Sequence, residues 1–310
     1  MWAIAIGMNL LAVGMNLGAR CVTPIGPFCP FRSKVTAYDS SAMSDMAALS
    51  QKKMPRFATE MARLELTMAN GGEPDLDAVR SMASDLAEAE REWRTMLDRM
   101  RLTNDFQSRE YYQMTAAWSE RQGESLETVG LMMRWQADCM EAFADGRPPL
   151  PPPPGIDLEK LARQKQQQME AGGAGGGGAG SLIAQVSAAS SINSSPFTGE
   201  EAAFSSPVVK EEYQALCRDH ASTITLGSDY GSFDALGKLA YLDALEAIEA
   251  RWDTFFARFD LLKCLNDEFK EQSERYLGSM GMSTQTFREV LGAAHDLMRA
   301  AAEEERQLGR

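Results

Sequence analysis

The sequence predicts an all-α protein of two homologous helical modules of about four helices each, joined by a long Pro/Gly/Ser-rich linker. Three features point there. Between residues 245 and 262, Leu245, Ile248, Trp252, Phe255, Phe256 and Phe259 recur every three or four positions, which places them on one core-facing stripe of a helix. The stripe occurs again 159 residues earlier as Leu86, Ala89, Trp93, Met96, Leu97 and Met100. No stretch reads convincingly as a strand.

From Gly72 to Leu102 the 159-residue shift holds without a gap, and eight of 31 columns are identical. The pairs are Gly72 with Gly231, Asp75 with Asp234, Leu86 with Leu245, Glu90 with Glu249, Trp93 with Trp252, Thr95 with Thr254, Arg99 with Arg258 and Leu102 with Leu261. With one residue removed the match resumes, pairing Gly123, Ser125 and Thr128 with Gly281, Ser283 and Thr286. Gly-x-Ser reads as a chain reversal followed by an N-cap, because the Ser hydroxyl accepts from an amide that the first turn leaves unpaired. Two copies of roughly 100 residues fit a duplicated domain better than the many short units of a solenoid.

The 310 residues suit about two domains, and a hydrophobic content of 44% suffices for packed cores. A net charge of −13 opposes the phosphate backbone of nucleic acid, which is excluded as a partner. Five cysteines form no CxxC; Cys139, Cys217 and Cys264 are widely scattered, as expected of thiols in a reducing compartment.

Taken in order, residues 1–45 read as a targeting segment. The first 19 carry no charge, and 20–42 hold three basic residues, several serines and only one acid, Asp39, the pattern of a two-part signal for a plastid reached through the secretory route. The rival reading is an N-terminal membrane anchor. No later stretch is long and apolar enough to span a bilayer.

The first, divergent module is assigned to 50–146. Phe57 to Met68 forms a helix stopped by Asn70-Gly71-Gly72, and Asp75 caps the long helix that carries Trp93. Asn104 and Asp105 break that helix. An aromatic-rich helix follows with Phe106, Tyr111, Tyr112, Met114 and Trp118, and the last runs from Leu126 to Phe143. The methionines Met96, Met100, Met132 and Met133 stand where the other copy mostly has larger apolar residues, which suggests a softer core.

Residues 147–205 form the linker: a stiff polyproline run to Pro154, a short polar helix, nearly pure glycine from Gly172 to Gly180, then a small, polar, disordered stretch. The second module spans 206–310. Pro207 opens its first helix, Asp234 caps its long helix, Asn266 to Leu277 is shorter, and the last begins at Ser283 and ends in the acids Glu303 to Glu305.

The segment Leu226-Gly-Ser-Asp-Tyr-Gly-Ser-Phe-Asp234, with Gly237-Lys238, Arg258-Phe259-x-Leu261 and Gly281-Met-Ser-Thr-Gln-Thr-Phe287, resembles the small helical proteins of domain-of-unknown-function family 1825. Val208 to Arg306 carries the likeness directly, and the first copy keeps Arg99, Leu102 and Asn104-Asp105-Phe106 near the family spacing. It has Met68-Ala-Asn-Gly-Gly-Glu-Pro-Asp75 in place of the signature loop. The resemblance implies cyanobacterial or plastid origin and a link to the thylakoid, with no established activity.

Catalytic chemistry finds little footing. His220 and His295 stand alone on helices, and Cys217-x-x-His220 lacks the second ligand pair of a zinc site. The G-x-G-x-x-G within 172–180 follows no strand, and Gly237-Lys238 lies inside a helix without the Ser or Thr of a P-loop. Glu88, Glu90 and Glu92 read as a solvated face. No catalytic, cofactor or metal residue is assigned.

The candidate interaction loop is Gly227, Ser228, Asp229, Tyr230, Gly231, Phe233 and Asp234, since aromatic residues between loop glycines are free to meet a partner, although a clamp on the following helix is the default role. The favoured function is a non-catalytic plastid interaction or assembly factor on the stromal side, peripheral to the thylakoid and binding protein there, with the two modules forming an intramolecular pseudo-dimer. The alternative is a small-molecule-binding or enzymatic bundle with a pocket near Tyr230, Trp252 and His220.

Overall fold

The computed structural model describes residues 60, 63–64, 66–68, 70–121, 125–148, 150–154, 156, 196–197, 200–279 and 282–309. The expected targeting segment, the glycine run and the turn glycines Gly123 and Gly281 lie outside them. Among the described residues all regular structure is helical. The α-helices are α1 (Leu76–Leu102), α2 (Phe106–Arg121), α3 (Leu126–Ala144), α4 (Pro207–Gly227), α5 (Ala235–Leu261), α6 (Asp267–Ser279) and α7 (Thr284–Gln307), with 3₁₀ turns at Ala202–Ser205 and Tyr230–Ser232.

The helix ends keep the 159-residue register expected from the sequence. α1 and α5 both have 27 residues, and their bounds differ by the same 159 positions as their sequences. Asp75 Oδ1 accepts from Asp77 N and Ala78 N at 3.0 and 3.1 Å, and Asp234 Oδ1 accepts from Gly237 N at 2.7 Å. Ser125 Oγ accepts from Thr128 N at 3.0 Å and Ser283 Oγ from Thr286 N at 3.1 Å. All four caps occupy donors that the first turn cannot satisfy by itself.

The stops follow the same logic. Gly71 takes φ +73° after the helical residues 66–68, while Gly72 N reaches Thr67 O at 2.9 Å. After α3, Gly146 takes φ +67° and Arg147 N reaches Ala142 O at 2.8 Å. α5 closes in the same way, with Cys264 N on Phe259 O at 2.9 Å, yet the left-handed residue is Lys263, φ 53°. A side chain there meets steric resistance that glycine avoids.

The chain divides into two compact units. The N-terminal unit holds the described residues up to Arg99 and those from Trp118 to 156. In it Leu86, Ala87 and Ala89 of α1 meet Met133 and Ala137 of α3, and Val79 and Met82 meet Ala144. Trp93 is buried and its Nε1 donates to Leu126 O at 3.3 Å. Arg80 Nη2 donates to Ala144 O at 3.0 Å, capping the end of α3. Beyond α3 the proline stretch is tied back, since Leu150 O accepts from Trp135 Nε1 at 3.1 Å.

Glu90 departs from the solvated face expected of it. It is buried beside an ion pair to Arg94, while Glu88 stays exposed. The reason is positional: residue 90 lies one turn from both Leu86 and Trp93 and so falls on the apolar stripe.

The C-terminal unit holds Met100–Ala117 together with the described residues from 196 onward. Its core is the aromatic stripe of α5. Trp252, Phe255, Phe256 and Phe259 are buried with Leu216, Leu265 and Phe269. Two further rings come from the stretch expected to be linker. Phe197 stacks on Phe256 at 5.4 Å and meets Phe255 and Phe259 edge-on at 5.7 and 4.7 Å, and Phe204 lies 5.2 Å from Phe259. Asn266 N donates to Pro196 O at 3.1 Å. The expected linker to residue 205 therefore gives up its final residues to a core, because two phenyl rings gain more from burial than a short polar stretch gains from freedom.

Replacing Ser125 or Ser283 by Ala is expected to cost about 1 kcal/mol each in urea unfolding. Lys263→Gly is expected to raise stability by about 1 kcal/mol through relief of the left-handed backbone.

Candidate functional site

The signature loop follows α4 and is built by close approach. A methyl group at Gly227 would overlap Tyr241 Oη and lie 3.1 Å from Phe106 Cβ. A methyl group at Gly231 would come within 2.7 Å of Asn104 Oδ1 and 2.8 Å of Asn104 Cα. Both glycines are thus required by space. Gly231 N donates to Asn104 O at 2.8 Å, fastening the loop to the break between α1 and α2.

Of the candidate loop residues, Ser228, Asp229 and Asp234 are exposed, Gly231 and Phe233 are half-buried, and Gly227 and Tyr230 are buried. Tyr230 is only 2% exposed. Its ring stands edge-on to Phe106 at 5.2 Å and tilted against Tyr241 at 5.4 Å, and burial pushes its hydroxyl up to about 12. Leu242, Leu245 and Met298 complete this second apolar cluster.

Beside it lies a buried polar pair that the sequence did not bring together. His295 on α7 is 4% exposed, and its Nε2 shares a hydrogen bond of 2.6 Å with Glu110 Oε1 on α2, itself buried. Glu249 Oε2 of α5 lies 3.9 Å from the other ring nitrogen. Burial works to discharge His295, but the Glu110 bond and the charges of Glu110, Glu249 and Glu246 outweigh it and hold the imidazole above its ordinary pKa. Burial raises Glu249 to about 7, against the pull of His295. Around the rim, Arg299 donates to Asp243 and Glu246 at 2.7 and 2.8 Å, and Lys238 Nζ to Glu305 at 2.5 Å.

His220 sits elsewhere, its ring 6.3 Å from Trp252. Its Nε2 is buried with no hydrogen-bond partner among the described residues, and burial lowers it to about 4. Trp252 belongs to the α5 aromatic core and Tyr230 to the second cluster. The structure therefore joins Trp252 with His220 and leaves Tyr230 apart.

Chemically, the Glu110–His295 pair is a charge-assisted tie between sequence-distant helices, with the Phe106 ring 6.2 Å from the imidazole. The pairing did not show in the sequence, because a bond across 185 positions leaves no local trace.

Residues 201–302 match the model of a family described only as a domain of unknown function, DUF1825. The match covers the loop, α5 and most of α7. No curated protein and no solved structure matches the chain.

Gly231→Ala is expected to destabilise the C-terminal unit by about 1–3 kcal/mol, since the crowding atoms include backbone. A pH dependence also follows. A histidine held above its unfolded pKa of 6.5 adds stability that is complete below that value and is lost as pH rises through the folded one. For Glu249, the fold keeps a proton between 4.5 and about 7 that the unfolded chain has released, so stability falls across that window too. The thermal midpoint of the protein is expected to fall between about pH 5 and 8, and Glu249→Gln to flatten the slope.

Proposed function

We propose that the protein is a duplicated, non-catalytic interaction or assembly factor of the plastid, attached peripherally to protein complexes on the stromal face of the thylakoid. Residues 1–45 would direct it there. The reading draws on the DUF1825 match at 201–302, and on helices that start and stop in register with the internal repeat.

The observation that carries it is an exposed apolar residue kept at the same place twice. Leu102 and Leu261 form one of the eight identical pairs, and they are 70% and 84% exposed at the ends of α1 and α5. Leu262 beside the latter is also exposed. A single exposed leucine calls for no explanation. An identical pair that buries little in either place is accounted for by contact with another molecule. With a net charge of −13, that molecule is protein rather than an anionic lipid surface.

The test is fractionation and co-purification of a tagged chain from its source cells. Sedimentation with thylakoid membranes, release by salt, and loss of co-purifying protein in a Leu102→Asp, Leu261→Asp double variant of unchanged helicity are the expected results. Protein found only free in the soluble fraction would refute the proposal.

A further inference from the structure

The Thr103–Glu110 segment meets the C-terminal unit through a small number of anchors arranged as a ligand's would be. A turn carbonyl, Asn104 O, receives Gly231 N–H at 2.8 Å. One ring, Phe106, enters between Tyr230 and Tyr241 at centroid distances of 5.2 and 4.8 Å. One carboxylate, Glu110, reaches His295 at 2.6 Å. Phe106 and Glu110 are four residues apart on α2 and so share a face.

The receiving surface has a different provenance. Gly227, Tyr230, Gly231, Tyr241 and His295 all lie within the region that matches the family model, whereas Thr103–Glu110 lies more than 90 residues before it. The close-approach glycines Gly227 and Gly231 face atoms of Phe106 and Asn104. The matched module thus carries a site shaped for residues that it does not itself contain. Without them His295 would lose its hydrogen bond to Glu110 and the apolar ring of Phe106, and keep Glu249, at 3.9 Å, and the more distant charge of Glu246.

We infer that residues 227–241 and His295 form a helix-binding groove, with Thr103–Glu110 as its built-in occupant. The occupant class is a helix start that presents a turn carbonyl, then an aromatic ring, then a carboxylate one turn later, and it docks as amphipathic helices dock in grooves. The inference stands independently of the thylakoid partner proposed above, since the occupant belongs to this chain.

The test uses the full-length protein and a fluorescent peptide of residues 100–118, with binding followed by anisotropy. In wild-type chain the tethered segment competes at high effective concentration, so the peptide binds weakly. Phe106→Ala and Glu110→Gln loosen the tether, and the peptide is expected to bind either variant at least about tenfold more tightly than wild type. Addition of His295→Ala to either variant is expected to abolish that gain. Absence of binding to both folded variants would overturn the inference, as would binding that survives His295→Ala. Failure of both variants to fold would also overturn it, because the segment would then be an inseparable part of the core.

Discussion

Ten side chains of α5 are withdrawn from water, six of them aromatic or aliphatic residues of the stripe from Leu245 to Phe259. At about 1.5–3 kcal/mol for each large apolar side chain buried, no single helix can supply that cover for itself. The remaining elements of the C-terminal unit answer this demand. α4 brings Leu216, α6 brings Phe269, α7 brings Met298, and the stretch before α4 brings Phe197 and Phe204. The short aromatic distances follow from it as well, since rings crowded along one stripe settle edge-on or offset against their neighbours.

What was legible in the sequence was local. The N-caps at Asp75, Asp234, Ser125 and Ser283, the stop at Gly71 and the break at Asn104-Asp105 depend on residues within a few positions of one another, and each stands where the pattern puts it. The apolar stripe was legible for the same reason, because its period is a property of the helix alone. Partnerships across long separations were not. Glu110 and His295 each looked like ordinary polar residues on a helix, and only folding makes them a pair. Phe197 was hidden by its small, polar neighbours, and Glu90 by the acids at 88 and 92. In the candidate loop the glycines were legible as special, but the need was space beside Asn104 and Tyr241, not an unusual backbone angle.

The two stretches related by the 159-residue shift agree more closely at their helix ends than in their interiors. Trp93 and Trp252 are buried at matching positions of helices of equal length, yet their company differs. Trp93 lies against Gly130 and donates to a backbone carbonyl, while Trp252 lies among Tyr213, Phe255 and Phe256. Caps tolerate few residue types, whereas a core accepts many combinations of similar volume. Methionine, soft and unbranched, suits an interior with few rings.

The phenyl group of Phe197 carries a lesson about where a domain begins. The match to the family model starts at residue 201, but the fold reaches back at least to Pro196, whose carbonyl and whose neighbour's ring are both engaged. A fragment cut at the start of the matched region would leave a ring-sized void where Phe204, Tyr213, Phe255, Phe256 and Phe259 converge. The limit of a sequence match and the limit of a packed core therefore fall in different places, and the residues between them hold the architecture together without carrying the matched pattern.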